Sequence, residues 1–463
     1  MTEIIQRKLN DSAWARWTAL GLVAFMMLCG YFITDMLSPM FSLLQKSPEL
    51  GGLGWSGDDF GSFMSAYGWL NVFLLMLIFG GIILDKMGVR FTGLMSALIM
   101  LGGVTLKLYG VSHDFGGATV TIFGTVWGMP LLVSSIGYAI FAMGVEIAGI
   151  TVSKIIVKWF KGKELALAMG LEMACARLGM GIAMFGAPYL AIHFPVTPIT
   201  TIVLSGVLLM VIGTLAFMVF MVMDRKLDKQ MDADANTEQE EPFRVKDIFD
   251  IIKNKGFWLI AILCLLFYSA VFPFMKYATN LMENKFGVET SLAGWIVTML
   301  PFGTILLTPL FGTLYDRIGR GATLMVLGSV LLFFVHVLFA IPMLDSWIIA
   351  VILMLLLGIA FSLVPSAMWP SVPKVIPENQ LGTAYALIFW LQNWGLMGVP
   401  LLIGKVLDKY CIIEKSAEGC TYNYTLPMVI FAGFSLAAIF FALWLKAEDR
   451  KKKYGLELPN IKK

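Results

Sequence analysis

Gly81-Ile82-Ile83-Leu84-Asp85-Lys86-Met87-Gly88-Val89-Arg90 is a short polar turn between long apolar stretches. Gly312-Thr313-Leu314-Tyr315-Asp316-Arg317-Ile318-Gly319-Arg320 repeats its core, a glycine, an aspartate four residues on, a basic residue and a second glycine. The two aspartates stand 231 residues apart, half of a 463-residue chain. One unit used twice predicts two related bundles, with a binding site at the plane where they meet.

Composition says what surrounds the turns. Residues of the AVILMFWYC set make up 58% of the chain and DEKR only 14%, against about 25% charged residues in an ordinary soluble protein. So few charges cannot cover a globular surface of this size, which excludes a soluble enzyme, a disordered chain and a disulfide-stapled secreted domain. A net charge of +3 gives no nucleic-acid footprint. Five cysteines and three histidines in a chain this long suggest neither a metal cluster nor a disulfide framework. No phosphate loop or nucleophile triad is present, so no enzyme, cofactor or metal is expected, and the lipid bilayer is the first partner.

A membrane helix needs about 20 mostly apolar residues. Stretches of this kind lie near 16–40, 58–84, 91–110, 129–154, 164–191, 200–223, 256–283, 291–314, 320–342, 346–373, 379–408 and 425–446. The reading is an all-α membrane protein of twelve transmembrane helices in two six-helix bundles. It divides into an N-terminal tail (1–15), a first bundle (16–223), a charged linker (224–255), a second bundle (256–446) and a C-terminal tail (447–463). Of the 34 Lys and Arg, 26 fall on the side that carries both chain ends and 7 on the other, among them Lys107 and Lys276. Basic loops stay in the cytoplasm, so both termini are expected there.

A polar turn of this kind between the second and third of twelve spans, partly copied between the eighth and ninth, resembles the loop signature of the major facilitator superfamily. The resemblance covers the whole chain and implies that family's fold and alternating access. It also implies that Asp85, Lys86 and Arg90, with Asp316 and Arg317, pair with the facing half and close a gate on the linker side. Charge at a helix end is favoured by the opposite end of the dipole. The plainer alternative is that these charges only set topology.

Ionisable groups within the bilayer are costly and are functional candidates by default. Glu146 stands 12 residues before Lys158, ~18 Å along a helix at about 1.5 Å per residue. Arg177 stands 14 residues after Lys163, ~21 Å along the next helix. Both therefore lie near the middle of a core about 30 Å thick. They either pair and lock the fourth span to the fifth, or stay apart and receive a zwitterion, the carboxylate taking an ammonium and the guanidinium a carboxylate fork. A dipeptide, ~6–7 Å end to end at about 3.5 Å per residue, has the right charges.

The surrounding residues sharpen the resemblance. Trp159-Phe160-Lys161-Gly162-Lys163-Glu164-Leu165, Ala176-Arg177-Leu178-Gly179, Ala270-Val271-Phe272-Pro273-Phe274, Trp369-Pro370 and Val375-Ile376-Pro377-Glu378-Asn379-Gln380-Leu381-Gly382-Thr383-Ala384-Tyr385 resemble, in order, the lysosomal dipeptide uniporter branch of the superfamily. That resemblance implies passive transport of dipeptides, with Glu146 at the amino end and Arg177 at the carboxylate. Two features of the branch are not matched. Thr2-Glu3-Ile4-Ile5 lacks the spacing of an acidic di-leucine signal, and Asn423-Tyr424-Thr425 abuts a span, too near the membrane for a glycan. The expected address is a bacterial inner membrane, crossed many times, with the lysosomal membrane as the alternative. The branch's glycosylated accessory subunit is expected only in a eukaryotic setting.

Further candidates are polar or aromatic groups at mid-depth: Tyr31 and Asp35 in the first span, Tyr67 in the second, Tyr268 in the seventh, Trp369 in the tenth, and Tyr385, Gln392 and Asn393 in the eleventh. Superposing Glu164-Leu165 on Gln380-Leu381 brings Asn393 onto Arg177 in the other half, so Asn393 should face the same cavity. His336 reads as a satisfied structural histidine. Cys411 and Cys420 share one outer loop, where an oxidising compartment permits a disulfide. Two other functions remain open: a proton-coupled symporter of peptides or small zwitterions in which Glu146 or Asp35 titrates, and a transporter-like peptide sensor or assembly partner.

Overall fold

The computed structural model describes residues 8–122, 124–160, 163–231, 245–377 and 380–459. The linker's centre, both chain ends, Lys161-Gly162 and Glu378-Asn379 lie outside the described residues. The long helices are α1 (Ala13–Asp35), α2 (Gly57–Phe73), α3 (Met76–Ser112), α4 (Met129–Phe160), α5 (Leu165–His193), α6 (Pro198–Met231), α7 (Lys255–Phe286), α8 (Thr290–Ile318), α9 (Gly321–Ala340), α10 (Trp347–Met368), α11 (Leu381–Tyr410) and α12 (Thr425–Lys452). Two antiparallel hairpins, β1 (Thr119–Ile122) with β2 (Thr125–Gly128) and β3 (Ile412–Ser416) with β4 (Gly419–Tyr422), join α3 to α4 and α11 to α12. The chain is a multi-pass membrane protein.

Among the described residues eleven helices are long and apolar enough to cross a membrane, where the sequence predicts twelve. The difference arises in the second stretch, which breaks at Leu74–Leu75. Leu75 takes a left-handed φ of 51°, leaving α2 with 17 residues and giving the rest of the stretch to α3. α3 in turn reverses at Gly88, with φ 76° and ψ 171°. Gly319, at the matching place in the second copy, also has φ 76°. Only glycine takes that backbone without strain, so the repeated glycine has a geometric cause in both halves. The first-half helix α6 runs to Met231, beyond the boundary expected at 223.

The break in the second stretch has a second feature. Val72 lies in the last turn of α2, where carbonyls have no intrahelical donor, and the indole Nε1 of Trp390 on α11 donates to its oxygen at 3.0 Å. Pro273 and Pro400 stand inside α7 and α11 where those helices border a cavity, the place at which a helix-breaking residue is tolerated in lipid.

In the first half α3 packs along α4, and α1 along α5 and α6; in the second, α9 packs along α10 and α12. The halves meet where α2 lies on α11 and α5 on α8. The α2–α11 seam needs glycine on both helices. A Cβ at Gly404 would stand 2.3 Å from the Gly57 carbonyl oxygen and 2.9 Å from the Gly61 Cα.

The side opposite the chain ends, here the far side, is stitched across the halves by polar contacts. Asp408 at the end of α11 accepts from the backbone N–H groups of Gly57 (2.8 Å) and Asp58 (2.7 Å), the first turn of α2. A carboxylate on a helix N-terminus meets both the unpaired donors and the positive end of the dipole. The Tyr422 hydroxyl donates to Asp408 at 2.9 Å and accepts from Gln45 at 2.7 Å. Ser42 bonds Glu283, and the Tyr277 hydroxyl donates to the Pro400 carbonyl at 2.7 Å beside this seam.

On the chain-end side the described pairs of the first polar turn stay within its own half. Asp85 bonds Lys154 at 2.9 Å, and Arg90 reaches Asp228 at 3.0 Å and Asp224 at 3.9 Å. Lys86 and Arg317 are exposed. Lys163 reaches Asp11 at 2.9 Å and holds that carboxyl below the usual range. Replacing Asp85 by Asn removes one half-exposed pair, so stability should fall by about 1 kcal/mol or less. If the turn acts as a gate, engineered cysteines in the cavity should also become more accessible from the chain-end side. Unchanged labelling would leave the turn a topology signal alone.

Two readings are corrected here. Lys107 and Lys276, counted with the outer loops, are buried inside the bundle, Lys107 at 1% exposure and Lys276 at 11% for its side chain. Cys411 and Cys420 are free thiols. Ile412 pairs with Tyr422 and Lys415 with Cys420, so Cys411 precedes the ladder and lies several residues along the strands from Cys420. At about 3.4 Å per residue, that exceeds the reach of a disulfide.

Candidate functional site

Between the halves lies a cavity of about 660 Å³ including its mouth, walled by α1, α2, α4, α5, α7 and α11. Of the residues singled out in the sequence, Tyr31, Asp35, Tyr67, Glu146 and Gln392 line it. Asn393, fully buried, stands just behind. Its amide donates to the Phe389 carbonyl at 3.0 Å and reaches Glu146 Oε1 at 3.5 Å from the other half.

Glu146 accepts a hydrogen bond from the Tyr67 hydroxyl at 2.9 Å. Its described partners, Tyr67 and Asn393, are thus neutral. A locking ion pair with Arg177 is not formed among the described residues. Arg177 instead lies against two aromatic faces, its Cζ 4.9 Å from the centre of Phe361 and 5.4 Å from that of Phe272. A guanidinium over such rings is held by their quadrupoles, yet Nη1 is buried with no hydrogen-bond acceptor. Phe272, and Met180 one turn beyond Arg177, belong to the cavity wall, so the cation sits at its edge rather than in its lining.

Tyr268, Trp369 and Tyr385 form a cluster beside this edge. Trp369 Nε1 donates to the Tyr268 hydroxyl at 3.1 Å, and the Tyr385 hydroxyl to the Trp369 carbonyl at 3.3 Å. Tyr268 stacks on Phe272 at 5.4 Å, so the cluster braces the ring on which Arg177 rests. Gln392 accepts from the Cys264 thiol at 3.6 Å. His336 is buried between Phe274 and Phe431 with Nδ1 3.2 Å from Ser435 Oγ, away from the cavity.

The sequence reading missed Lys276. Its ammonium lies 2.5 Å from Asp35 Oδ1 and 3.2 Å from the Thr34 carbonyl, joining α7 of one half to the C-terminal end of α1 in the other. The Tyr138 hydroxyl (2.8 Å) and Lys107 (3.3 Å) donate to the Thr34 and Ile33 carbonyls. A helix that ends inside the protein leaves its last carbonyls unpaired, and cations favour its negative pole. Two lysines and a tyrosine supply both. The signal was available: Lys276 falls within 256–283 and Lys107 within 91–110.

A fold of two repeated bundles around a central charged cavity defines a secondary transporter of the membrane. Residues 23–400 match the model of the Major Facilitator Superfamily and residues 275–460 match it again, and the chain belongs to that superfamily. Its curated relatives include the "Lysosomal dipeptide transporter MFSD1" of Danio rerio, 30% identical over 80% of this chain and 78% of the relative. The human protein of that name is 27% identical over 90% and 85%. "Inner membrane transport protein YdiN" of Escherichia coli is 27% identical over 40% and 43%. Among solved structures, a peptide transporter POT mutant with alafosfalin superposes with a TM-score of 0.70 at 14% identity, covering 95% of each chain. The nucleoside transporter NupG mutant superposes at 0.67 and 17% identity over 92% and 98%. At such identities these two show the fold alone.

Proposed function

We propose that this transporter carries dipeptides by alternating access, as a uniporter, with Glu146 holding the peptide's ammonium group and Arg177 its carboxylate. One observation carries the reading: the two opposite charges stand apart at one cavity, the carboxylate served by neutral donors and the guanidinium by aromatic faces with a donor to spare. A zwitterion meets both needs at once. The names of the MFSD1 relatives, dipeptide transporters, support the peptide class. The Lys and Arg bias supports cytoplasmic chain ends. The short match to YdiN is to an inner membrane protein, whereas the MFSD1 relatives, matched over most of the chain, are named as lysosomal.

The test uses purified protein in thermal-shift binding and in proteoliposomes. Free dipeptides should raise the melting point. N-acetylated or C-amidated forms should bind at least about tenfold more weakly, because each lost charged hydrogen bond is worth about 1.5–3 kcal/mol. Counterflow should proceed without a pH gradient. Equal binding of capped and free peptides would sink the two-ended clamp. Flux that requires a proton gradient would make the protein a symporter, and binding without flux would make it a sensor.

A further inference from the structure

We infer that Lys276 is a specificity-determining residue: by neutralising Asp35 in the cavity wall, it disfavours substrates that carry a cationic side chain. This rests on the dipeptide reading above. Among the described residues lining the cavity the acids are Asp35 and Glu146, and the base is Lys276. Asp35 and Lys276 are in contact at 2.5 Å with side chains 3% and 11% exposed. Glu146 has no cationic partner among the described residues. The wall therefore offers one compensated carboxylate and one uncompensated one. A peptide's ammonium group goes to the second.

The compensation is not complete in geometry. Asp35 Oδ1 takes Lys276 and, at 3.4 Å, Ser38, while Oδ2 is buried with no partner. An acceptor is thus already formed at the closed end of the cavity, and the Lys276 charge beside it repels any second cation. Lys107 does not substitute for Lys276. It donates to the Ile33 carbonyl and lies 4.6 Å from the centre of the Tyr138 ring, and it is not among the lining residues. Removing the Lys276 charge leaves Asp35 open to a lysine-like side chain. Removing the Asp35 charge leaves Lys276 open to an acidic one.

The experiment compares Ala-Ala, Ala-Lys and Ala-Glu binding, by thermal shift on purified protein, in four variants. Lys276→Met should raise the affinity for Ala-Lys relative to Ala-Ala by roughly tenfold, the size of one charge-assisted hydrogen bond, and lower that for Ala-Glu. Asp35→Asn should do the reverse and favour Ala-Glu by a similar factor, so either variant alone suffices if the other does not fold. The double variant Asp35→Asn/Lys276→Met should return to the wild-type order, as should Lys276→Arg. A bridge that merely held the halves together would depress all three peptides alike. Single variants that still bind Ala-Ala but keep the wild-type order would overturn the inference and leave the dipeptide reading intact. A wild type that binds none of the three peptides would overturn both.

Discussion

Arg177→Ala is expected to reduce dipeptide affinity by at least about thirtyfold while leaving the ligand-free melting point unchanged or higher. Truncating one member of a buried, hydrogen-bonded charge contact costs about 2–5 kcal/mol, and in the proposed clamp that contact forms only with substrate. The apo protein loses little, because Nη1 is buried without an acceptor and the guanidinium contributes ring contacts rather than an ion pair. Arg177→Lys keeps the charge but not the fork, so it should fall between the two. The double variant Glu146→Gln/Arg177→Met should fold and fail to bind. The measurement is the peptide-induced thermal shift beside the ligand-free melting point for every variant. Wild-type uptake by the double variant would overturn the site assignment and most of the case for a peptide.

Gly404→Leu should abolish transport by a different route. Even the first carbon of a side chain at Gly404 would stand 2.3 Å from the Gly57 oxygen, so the far side cannot close as it does in this structure. Overpacking typically costs about 1–3 kcal/mol, which corresponds to a fall in the closed population of roughly five- to more than a hundredfold. Single cysteines placed beside Tyr277 should become labelled from the far side, and flux should drop in parallel. Gly404→Ala should show the same effect at smaller size. A leucine variant that transports at the wild-type rate would show that the glycine seam is not a moving contact.

How much of this was legible depends on whether a property is one-dimensional. Span order, the repeat and the depth of Glu146 follow from counting along the chain, since a helix advances a fixed distance per residue. Tyr67 and Gln392 follow from their polar tips at mid-depth, and Asn393 from superposing the repeat. Direction around a helix is set by packing, which counting does not reach. Tyr268, Trp369 and Tyr385 thus lie beside the cavity rather than in its wall, and Arg177 lies at its rim. Lys276 was missed because a lysine ten residues from the end of α7 was tallied as a loop charge, although its own span already enclosed it. Asp408 had no signal at all: two of its partners are backbone N–H groups of a helix 351 and 350 residues away in sequence.

The indole of Trp390 and the carbonyl of Val72 lie in different halves, so the bond between them exists only while the halves are docked as they are here. The kink at Leu74–Leu75 is thereby thermodynamically linked to docking. Parting the halves withdraws a donor from a carbonyl that lipid cannot satisfy, which penalises the bent form by about 1–3 kcal/mol. Linkage is reciprocal: anything that straightens this span must loosen the docking of α2 on α11 at Trp390 by the same amount. The thickness of the surrounding bilayer, to which a span adapts by tilting or kinking, thus bears on how the halves dock from outside the cavity.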